Sequence, residues 1–269
     1  MISMAAEQAN ALSRNPNQLN LVRVATYERL IKANISRVWE NVLDWEHLPW
    51  LHDSSFVYVR LDAAGEWGWR TWSNAEKTGS VELCVNREKS EYVARSYQGG
   101  QQISEIWTRL VPVQDHTEIE VTFDLPNVST EKKTKLGSIF LKLYTHLWDE
   151  DEDMMQQRET RLQQRFSEPA SNTITLQKPL QLPLNVPLGR GDWTLQEVDS
   201  QLVVHSAICP HLLGPLNATR DGKTVNCPWH GYEFDIRSGD CLTSRAATCR
   251  LKTPPSIVET DSSITLILQ

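Results

Sequence analysis

The sequence predicts an α+β domain followed by a smaller all-β module. Strand-like segments fill most of the first part of the chain and lead into one long helical pattern, which is typical of an antiparallel sheet with one face covered by a helix. From about Ile174 onward, short apolar runs alternate with Gly, Pro, Asn and Asp, which indicates short strands. At roughly 150 residues per domain, a chain of 269 residues accommodates both parts.

The first domain is predicted to be built from a strand, a short helix, a meander of strands and a long helix. Residues 36–44 form the short helix, with Ser36 as its N-cap. Residues 133–166 form the long helix, because apolar residues recur at helical spacing between Leu136 and Leu147. The predicted strands are 21–32, 56–61, 67–73, 81–86, 91–97, 103–111 and 118–123.

Composition sets the domain limits. Residues 1–20 are polar and rich in Asn and Gln, so we expect a disordered tail rather than a signal peptide, and a cytoplasmic protein. The segment SEPASNT at 167–173 is the predicted linker. It separates the first domain, 21–166, from the second, 174–269. No apolar run approaches the roughly 18 residues that span a membrane.

The charged residues and cysteines narrow the classes of function. Lys and Arg total 27 against 34 Asp and Glu, a net charge of −7, and no basic face indicates a nucleic-acid partner. The chain has five cysteines, and an odd number without an export signal argues against a disulfide framework. Clustered cysteines in such a chain first suggest metal binding.

Two Cys-His pairs lie in the second domain. Cys209-Pro210-His211 is followed, after fifteen residues, by Cys227-Pro228-Trp229-His230. Zinc accepts two Cys and two His, but it usually places the two Cys together and the two His together. One Cys and one His in each loop instead suit a binuclear centre, in which one iron takes both thiolates and the other both imidazoles. A mononuclear zinc site is the alternative.

The segments CPHLLGPL and CPWHGYEFDIRSG resemble the two cluster-binding loops of Rieske [2Fe-2S] domains. The resemblance covers about 174–269 and implies that Cys209, His211, Cys227 and His230 hold a [2Fe-2S] cluster.

Two positions separate this sequence from one branch of the family. Rieske domains of respiratory complexes carry two further loop cysteines joined in a disulfide, and Gly214 and Trp229 stand at those positions. The chain is therefore similar to the ferredoxin and oxygenase branch. Its third loop departs from that branch, because Ser244 to Ala246 lack the frequent Gly-Pro-Ala. This departure is expected to alter how the cluster is shielded.

A second motif lies in the first domain. Glu40, Asp44, His47 and His52 follow the spacing E-x₃-D-x₂-H-x₄-H. The first three share a helix face, whereas His52 lies about 140° further round a straight helix than His47. Both imidazoles meet one metal only if the segment bends, and Pro49 is the expected place for the break.

The long helix is expected to supply a third ligand, because a mononuclear iron takes two His and one carboxylate on one side. It carries five consecutive acidic residues, from Asp149 to Asp153. Relative to Leu147, which points inward, Asp151 lies about 40° round the helix, and Glu150 lies about 60° away in the other direction. Asp151 is the predicted ligand, Glu150 is the alternative, and the other carboxylates are expected to form a solvated face.

This set resembles the catalytic domain of Rieske non-haem iron oxygenases. The resemblance implies a helix-grip fold of the START superfamily, with Fe(II) bound by His47, His52 and Asp151 and with Asp44 linking the two metal centres. It also implies O₂, a hydrophobic small-molecule substrate, and a homo-oligomer that is trimeric in the family. No nicotinamide or flavin fingerprint is present, so a reductase or ferredoxin is expected to donate electrons.

Two departures and one alternative accompany this second resemblance. Family oxygenases place the Rieske domain first, whereas here it comes second, and the catalytic part is short. Helix-grip proteins without metal also carry Val, Trp, Asp and Pro in this region, and His47 and His52 are then ordinary loop residues. The alternative function is a Rieske electron carrier fused to a module that binds a lipid or another small ligand.

Overall fold

The computed structural model describes residues 20–243 and 248–269. The predicted tail, apart from Asn20, and the Ser244 to Ala246 segment therefore lie outside the described residues. By its contacts the chain divides into two compact units, Met1–Gln156 and Gln157–Gln269. The linker at 167–173 stays a prediction.

The first unit is a seven-stranded antiparallel sheet that holds a long helix. Its elements are β1 (Leu21–Ile31), α1 (Ile35–Leu43), a 3₁₀ turn (Trp45–His47), α2 (Leu48–Leu51), β2 (Arg60–Gly65), β3 (Gly68–Trp72), β4 (Gly79–Asn86), β5 (Glu91–Gln98), β6 (Gln101–Val113), β7 (His116–Pro126) and most of α3 (Thr130–Gln164). The end of α3, from Gln157 onward, belongs to the second unit. The strand order is β1-β7-β6-β5-β4-β3-β2. Because β1 pairs with β7, the first and last strands of the domain are neighbours beneath the helix that follows.

Aromatic side chains join α3 to the sheet. The Phe123 ring of β7 lies 5.1 Å from the Phe140 ring and 4.6 Å from the Tyr144 ring, measured between centroids. The same core contains Trp39 of α1 and Trp69 of β3, and the indole of Trp69 donates to the Val42 carbonyl at 3.0 Å. The predicted α+β fold and its helix-grip arrangement are confirmed.

Two predicted boundaries are wrong. The N-cap of α1 is Asn34 rather than Ser36, because the Asn34 side chain accepts a hydrogen bond from the Arg37 amide at 3.0 Å. The second strand begins at Arg60 rather than at Phe56. The amides of Ser55 and Phe56 both donate to the His52 carbonyl at 2.9 Å, so the first residue of the predicted strand, Phe56, belongs to this turn.

The second unit contains the all-β module predicted from its short apolar runs. Its strands are β8 (Thr173–Gln177), β9 (Leu184–Leu188), β10 (Gly191–Val198), β11 (Gln201–Ser206), β12 (Asn217–Ala218), β13 (Thr224–Asn226), β14 (Glu233–Asp235), β15 (Ser256–Glu259) and β16 (Ser263–Ile267). They form three antiparallel sheets of three strands, β11-β10-β9, β12-β13-β14 and β15-β16-β8. Among residues 20–243 and 248–269, no helix is long and apolar enough to cross a membrane.

Gly137 tests how closely α3 approaches β1. A Cβ at this position would lie 2.5 Å from the Val24 carbonyl oxygen, at the irregularity of β1 between Arg23 and Ala25. We expect Gly137→Ala to lower the free energy of unfolding by about 1–3 kcal/mol through overpacking. Alanine in an ordinary helix would instead raise it by about 0.5–1 kcal/mol. Denaturant unfolding followed by circular dichroism measures the difference.

The matched control is Ser138→Ala, at an exposed neighbouring position of α3. It should change the free energy of unfolding by no more than about 0.5 kcal/mol. A stabilised Gly137→Ala variant would contradict the close approach.

Candidate metal centres

The motif of the first unit folds around a turn at Asp44. Asp44 is the C-cap of α1, with φ −88° and ψ 89°, and its Oδ1 accepts from the Glu46 amide at 3.1 Å. The expected break at Pro49 is wrong. Proline lies in the first turn of α2, where its missing N–H costs little. The turn at Asp44 leaves His47 in the 3₁₀ segment and His52 just after α2, and both are buried.

His47, His52 and Asp151 converge in the first unit. The Oδ1 atom of Asp151 lies 3.0 Å from His52 Nε2 and 3.5 Å from His47 Nε2. The two imidazole rings are 5.1 Å apart and nearly perpendicular, at 76°. One candidate ligand atom from each of the three buried residues lies within 4.8 Å of the others. Two imidazoles and one carboxylate in this arrangement have the chemistry of a non-haem iron site.

The opposite nitrogen of each imidazole faces a second carboxylate. His52 Nδ1 lies 2.7 Å from Glu150 Oε2, and His47 Nδ1 lies 3.8 Å from Asp44 Oδ2. In metal sites, such carboxylates fix the orientation and the tautomer of a ligating histidine. Glu150, the alternative third ligand, therefore lies behind His52, on its Nδ1 side, whereas Asp151 lies on its Nε2 side.

Asn41 holds Asp151, although it is not among the residues predicted for this site. Its amide Nδ2 donates to Asp151 Oδ1 at 2.9 Å. Asn41 is buried in α1 beside Val38, Trp39 and Val42. An amide within an otherwise apolar helix stripe was the available signal, because a buried amide needs a hydrogen-bond partner.

The charges at this site favour an ionised Asp151 beside a protonated His52. Burial alone would lower the pKa of His52, but hydrogen bonds and negative charge from Asp151 and Glu150 raise it above its usual value. Burial alone would raise the pKa of Asp151, but His52, His47 and Asn41 together lower it. Asp151 is thus held in the ionised form that a carboxylate ligand requires, whereas His52 must lose its extra proton when it binds a metal.

The remaining acidic residues of the two segments have other partners. Arg29 of β1 binds Asp149 and Glu152, each at 2.6 Å. Glu152 is buried, so its assignment to a solvated face is wrong. Glu40 pairs with Arg37, one turn earlier in α1.

The Cys-His pairs of the second unit lie in two loops at the same edge of one sheet. Asn217, Asn226 and Glu233 are paired across β12, β13 and β14. The first loop ends at Asn217, and the second connects Asn226 to Glu233. The sheet therefore places the two loops side by side.

Backbone hydrogen bonds close each loop around its cysteine. The Cys209 amide donates to the Gly214 carbonyl at 2.8 Å, and the Cys227 amide donates to the Tyr232 carbonyl at 2.9 Å. The rings of His211 and His230 are 4.6 Å apart and nearly perpendicular, at 85°. Both histidine Nδ1 atoms are buried.

The two cysteines and two histidines fit a [2Fe-2S] cluster. Both cysteines are buried and free of disulfides. Their mutual hydrogen bond raises the pKa of Cys209 and lowers that of Cys227. The thiolate form that iron binds is thus favoured at Cys227. A Cβ at Gly214 would lie 2.6 Å from Cys227 Sγ and 2.9 Å from the Trp229 ring, so this close approach requires glycine.

Comparison with known proteins supports the second centre directly. Residues 174–255 match the Rieske [2Fe-2S] domain family. The chain has no significant match among curated protein sequences.

Solved structures give weaker similarities. An oxygenase–ferredoxin complex of carbazole 1,9a-dioxygenase is 14% identical over 40% of this chain and 31% of that chain, with a TM-score of 0.31. The ZhuI aromatase/cyclase from Streptomyces sp. R1128 is 10% identical over 51% of this chain and 95% of that chain, with a TM-score of 0.39. TTHA0849 from Thermus thermophilus is 16% identical over 49% and 95%, with a TM-score of 0.33.

The matched part thus spans about a third of the dioxygenase chain. All three TM-scores lie below 0.5, so the interpretation of the two centres depends on the geometry of this chain.

Cysteine substitution tests the second centre. We expect Cys227→Ser to abolish acid-labile sulfide and the visible iron–sulfur spectrum, because it removes a buried thiolate ligand. Cys241→Ser is the matched control. Its half-buried thiol makes a 3.8 Å contact with the Thr243 carbonyl, and the variant should retain both signals. Normal sulfide in Cys227→Ser, or its loss in Cys241→Ser, would refute this ligand set.

Proposed function

Since residues 174–255 form a Rieske [2Fe-2S] domain, we propose that the chain is a Rieske-type oxygenase that uses O₂ to hydroxylate, demethylate or desaturate a hydrophobic small molecule. The observation that carries this proposal is the convergence of His47, His52 and Asp151 in a separate unit of the same chain. A redox domain joined to a two-histidine, one-carboxylate site combines an electron entry point with a place for mononuclear iron.

In the second unit, Cys209 and Cys227 would hold one iron of the cluster and His211 and His230 the other. The cluster supplies one-electron transfer. The loops contribute burial and fixed ligand positions, which exclude water from the thiolates. The electron donor is proposed to be a reductase or a ferredoxin.

In the first unit, His47, His52 and Asp151 would hold Fe(II), which supplies the activation of O₂ when bound. Glu150 orients the His52 imidazole from behind, and Asn41 orients the carboxylate, whereas Asp44 lies 3.8 Å from His47 Nδ1, beyond hydrogen-bond distance. Three protein ligands on one side leave the remaining positions open for small molecules.

Asp44 is proposed to carry the electronic connection between the two centres. Its Oδ1 is fixed by the Glu46 amide, and its Oδ2 lies 3.8 Å from His47 Nδ1. A carboxylate fixed at one oxygen leaves the other to interact with a ligand imidazole. This role is the one implied by the oxygenase resemblance.

An apolar substrate suits the surroundings of the iron site. Loss of contact with water raises the pKa of Tyr92, which is buried, and of Tyr144, which is half-buried, and the charge of Asp151 adds to both shifts. Both hydroxyls are therefore neutral near physiological pH. Trp39 packs edge-on against Tyr92 at 6.1 Å. Neutral aromatic side chains thus lie on one side of Asp151, which supports an apolar rather than a charged substrate.

One observation favours a second candidate function. Asp151 already receives hydrogen bonds from His52 and Asn41, so these three buried side chains satisfy one another without a metal. The candidate is an electron carrier fused to a ligand-binding helix-grip module that lacks mononuclear iron.

Iron and sulfide analysis distinguishes the two functions. We expect about three irons and two acid-labile sulfides per chain in anaerobically purified protein, because the cluster alone accounts for about two irons. His47→Ala and Asp151→Ala should each lose about one iron and all turnover while keeping the cluster spectrum. The matched control is His116→Ala at the start of β7, which should keep all three irons.

About two irons in the wild type, even after reconstitution with ferrous iron, would contradict the oxygenase and favour the electron carrier. Unchanged iron in both ligand variants would reject the proposed ligands.

Glu150→Gln tests the orientation of His52. The substitution preserves shape but removes the carboxylate that lies 2.7 Å from His52 Nδ1. We expect affinity for Fe(II) to fall about 10- to 100-fold, the usual effect of losing such a group. Equilibrium dialysis on protein with an intact cluster measures this affinity. Asp149→Asn removes the neighbouring charge, which pairs with Arg29, and should leave the affinity near that of the wild type. Equal affinities in the two variants would contradict this role of Glu150.

A further inference from the structure

We propose that Arg161 is a positioning residue of the Rieske centre, which holds the first cluster loop in its strained form and raises the reduction potential of the cluster. This proposal rests on the Rieske domain alone. Its failure would leave the mononuclear iron proposal untouched, and the reverse is also true.

The guanidinium of Arg161 contacts both cluster loops. Arg161 lies in the last turns of α3, within the second unit. Its Nη1 donates to the Leu213 carbonyl in the first loop. The same guanidinium lies 5.7 Å from the centroid of the Trp229 ring, between the cysteine and the histidine of the second loop. Nη2 points to Gln157 Oε1, at 3.5 Å, one turn earlier in the helix. One side chain therefore connects the two loops.

The contact with Leu213 is made where the first loop is strained. Leu213 has φ 65°, the left-handed conformation that a leucine rarely adopts. A non-glycine residue keeps this conformation only when its surroundings impose it. A charge-assisted hydrogen bond to the Leu213 carbonyl is such a constraint.

The strained residue directly precedes the closest approach between the loops. Gly214 packs against Cys227 Sγ and the Trp229 ring so tightly that a Cβ would not fit. The Gly214 carbonyl also accepts from the Cys209 amide at 2.8 Å. A change in the conformation of Leu213 would therefore move the backbone that positions both cysteine ligands. Arg161 acts on these ligands through the loop and touches neither of them in the described contacts.

The charge of Arg161 has a second effect. Reduction adds one negative charge to the cluster, and a nearby cation stabilises that form. Arg161 is half-buried, so solvent screens its charge only partly. Removing the charge should therefore favour the oxidised form.

Arg161→Gln in the full chain is the central variant. We expect its cluster to be about tenfold harder to reduce, which corresponds to about 59 mV for one electron. We also expect faster loss of acid-labile sulfide in the presence of a chelator. A spectroscopic redox titration measures the potential, and sulfide analysis over time measures retention. Arg161→Lys keeps the charge, so its potential should stay near that of the wild type even if its cluster is lost faster.

A double variant separates the two effects. Leu213→Gly removes the side chain that makes the left-handed conformation costly. Combined with Arg161→Gln, it should restore sulfide retention towards that of the wild type while the potential stays low. Leu213→Gly alone should change neither property. If Arg161 acts only on the structure of the loop, the double variant should restore both retention and potential. That result would overturn the electrostatic part of the proposal.

Arg165→Gln is the matched control. It removes one positive charge a turn further along the chain, from an exposed side chain. Its potential and retention should match those of the wild type. The proposal is overturned if Arg161→Gln and Arg165→Gln behave alike, or if Arg161→Lys lowers the potential as much as Arg161→Gln. If Arg161→Gln alone does not retain a cluster, the potential of the double variant, compared with that of Leu213→Gly, decides the electrostatic part.

Discussion

The site of the first unit depends on one buried carboxylate. Burying a charge costs free energy unless the charge is paired and hydrogen-bonded. Asp151 can therefore be buried only if its hydrogen-bond partners are buried beside it. His52, His47 and Asn41 are those partners, and they come from the short segment after β1. The packing of α3 on the sheet sets the height and rotation of Asp151. The same packing of α3 on the sheet therefore stabilises the fold and positions the proposed metal ligands.

In the second unit, backbone conformation and backbone hydrogen bonds, rather than a buried charge, position the predicted ligands. Its two loops approach so closely that the chain has glycine at position 214 and a left-handed leucine at 213. Backbone hydrogen bonds close each loop on its own cysteine. Arg161 adds a contact from outside the loops, and its position late in α3 means that this helix contributes to the second centre as well as to the first. Each centre thus depends on residues that lie far away in the sequence.

Much of this organisation could be predicted from patterns. The strands, the long helix and the inward direction of Asp151 follow from periodicity, because burial selects apolar residues at the repeat of each element. The predictions failed where local groups compete. Asn34 rather than Ser36 caps α1, and Asp44 rather than Pro49 turns the chain, because side-chain hydrogen bonds decided between neighbouring positions. Glu152 was misassigned because its partner, Arg29, lies in a distant strand.

By itself, the sequence determined the ligand chemistry of the Rieske loops. In each pair the Cys and the His are only two or three residues apart, and few sites other than metal centres need this arrangement. It also limited the third ligand of the first site to one run of carboxylates. Only the tertiary structure decided that Asp151 faces both histidines while Glu150 lies behind His52, that Asn41 binds Asp151, and that Arg161 contacts the first Cys-His loop. These contacts join residues that are 52 to 110 positions apart. Side-chain packing, rather than local spacing, sets which atoms meet across such separations.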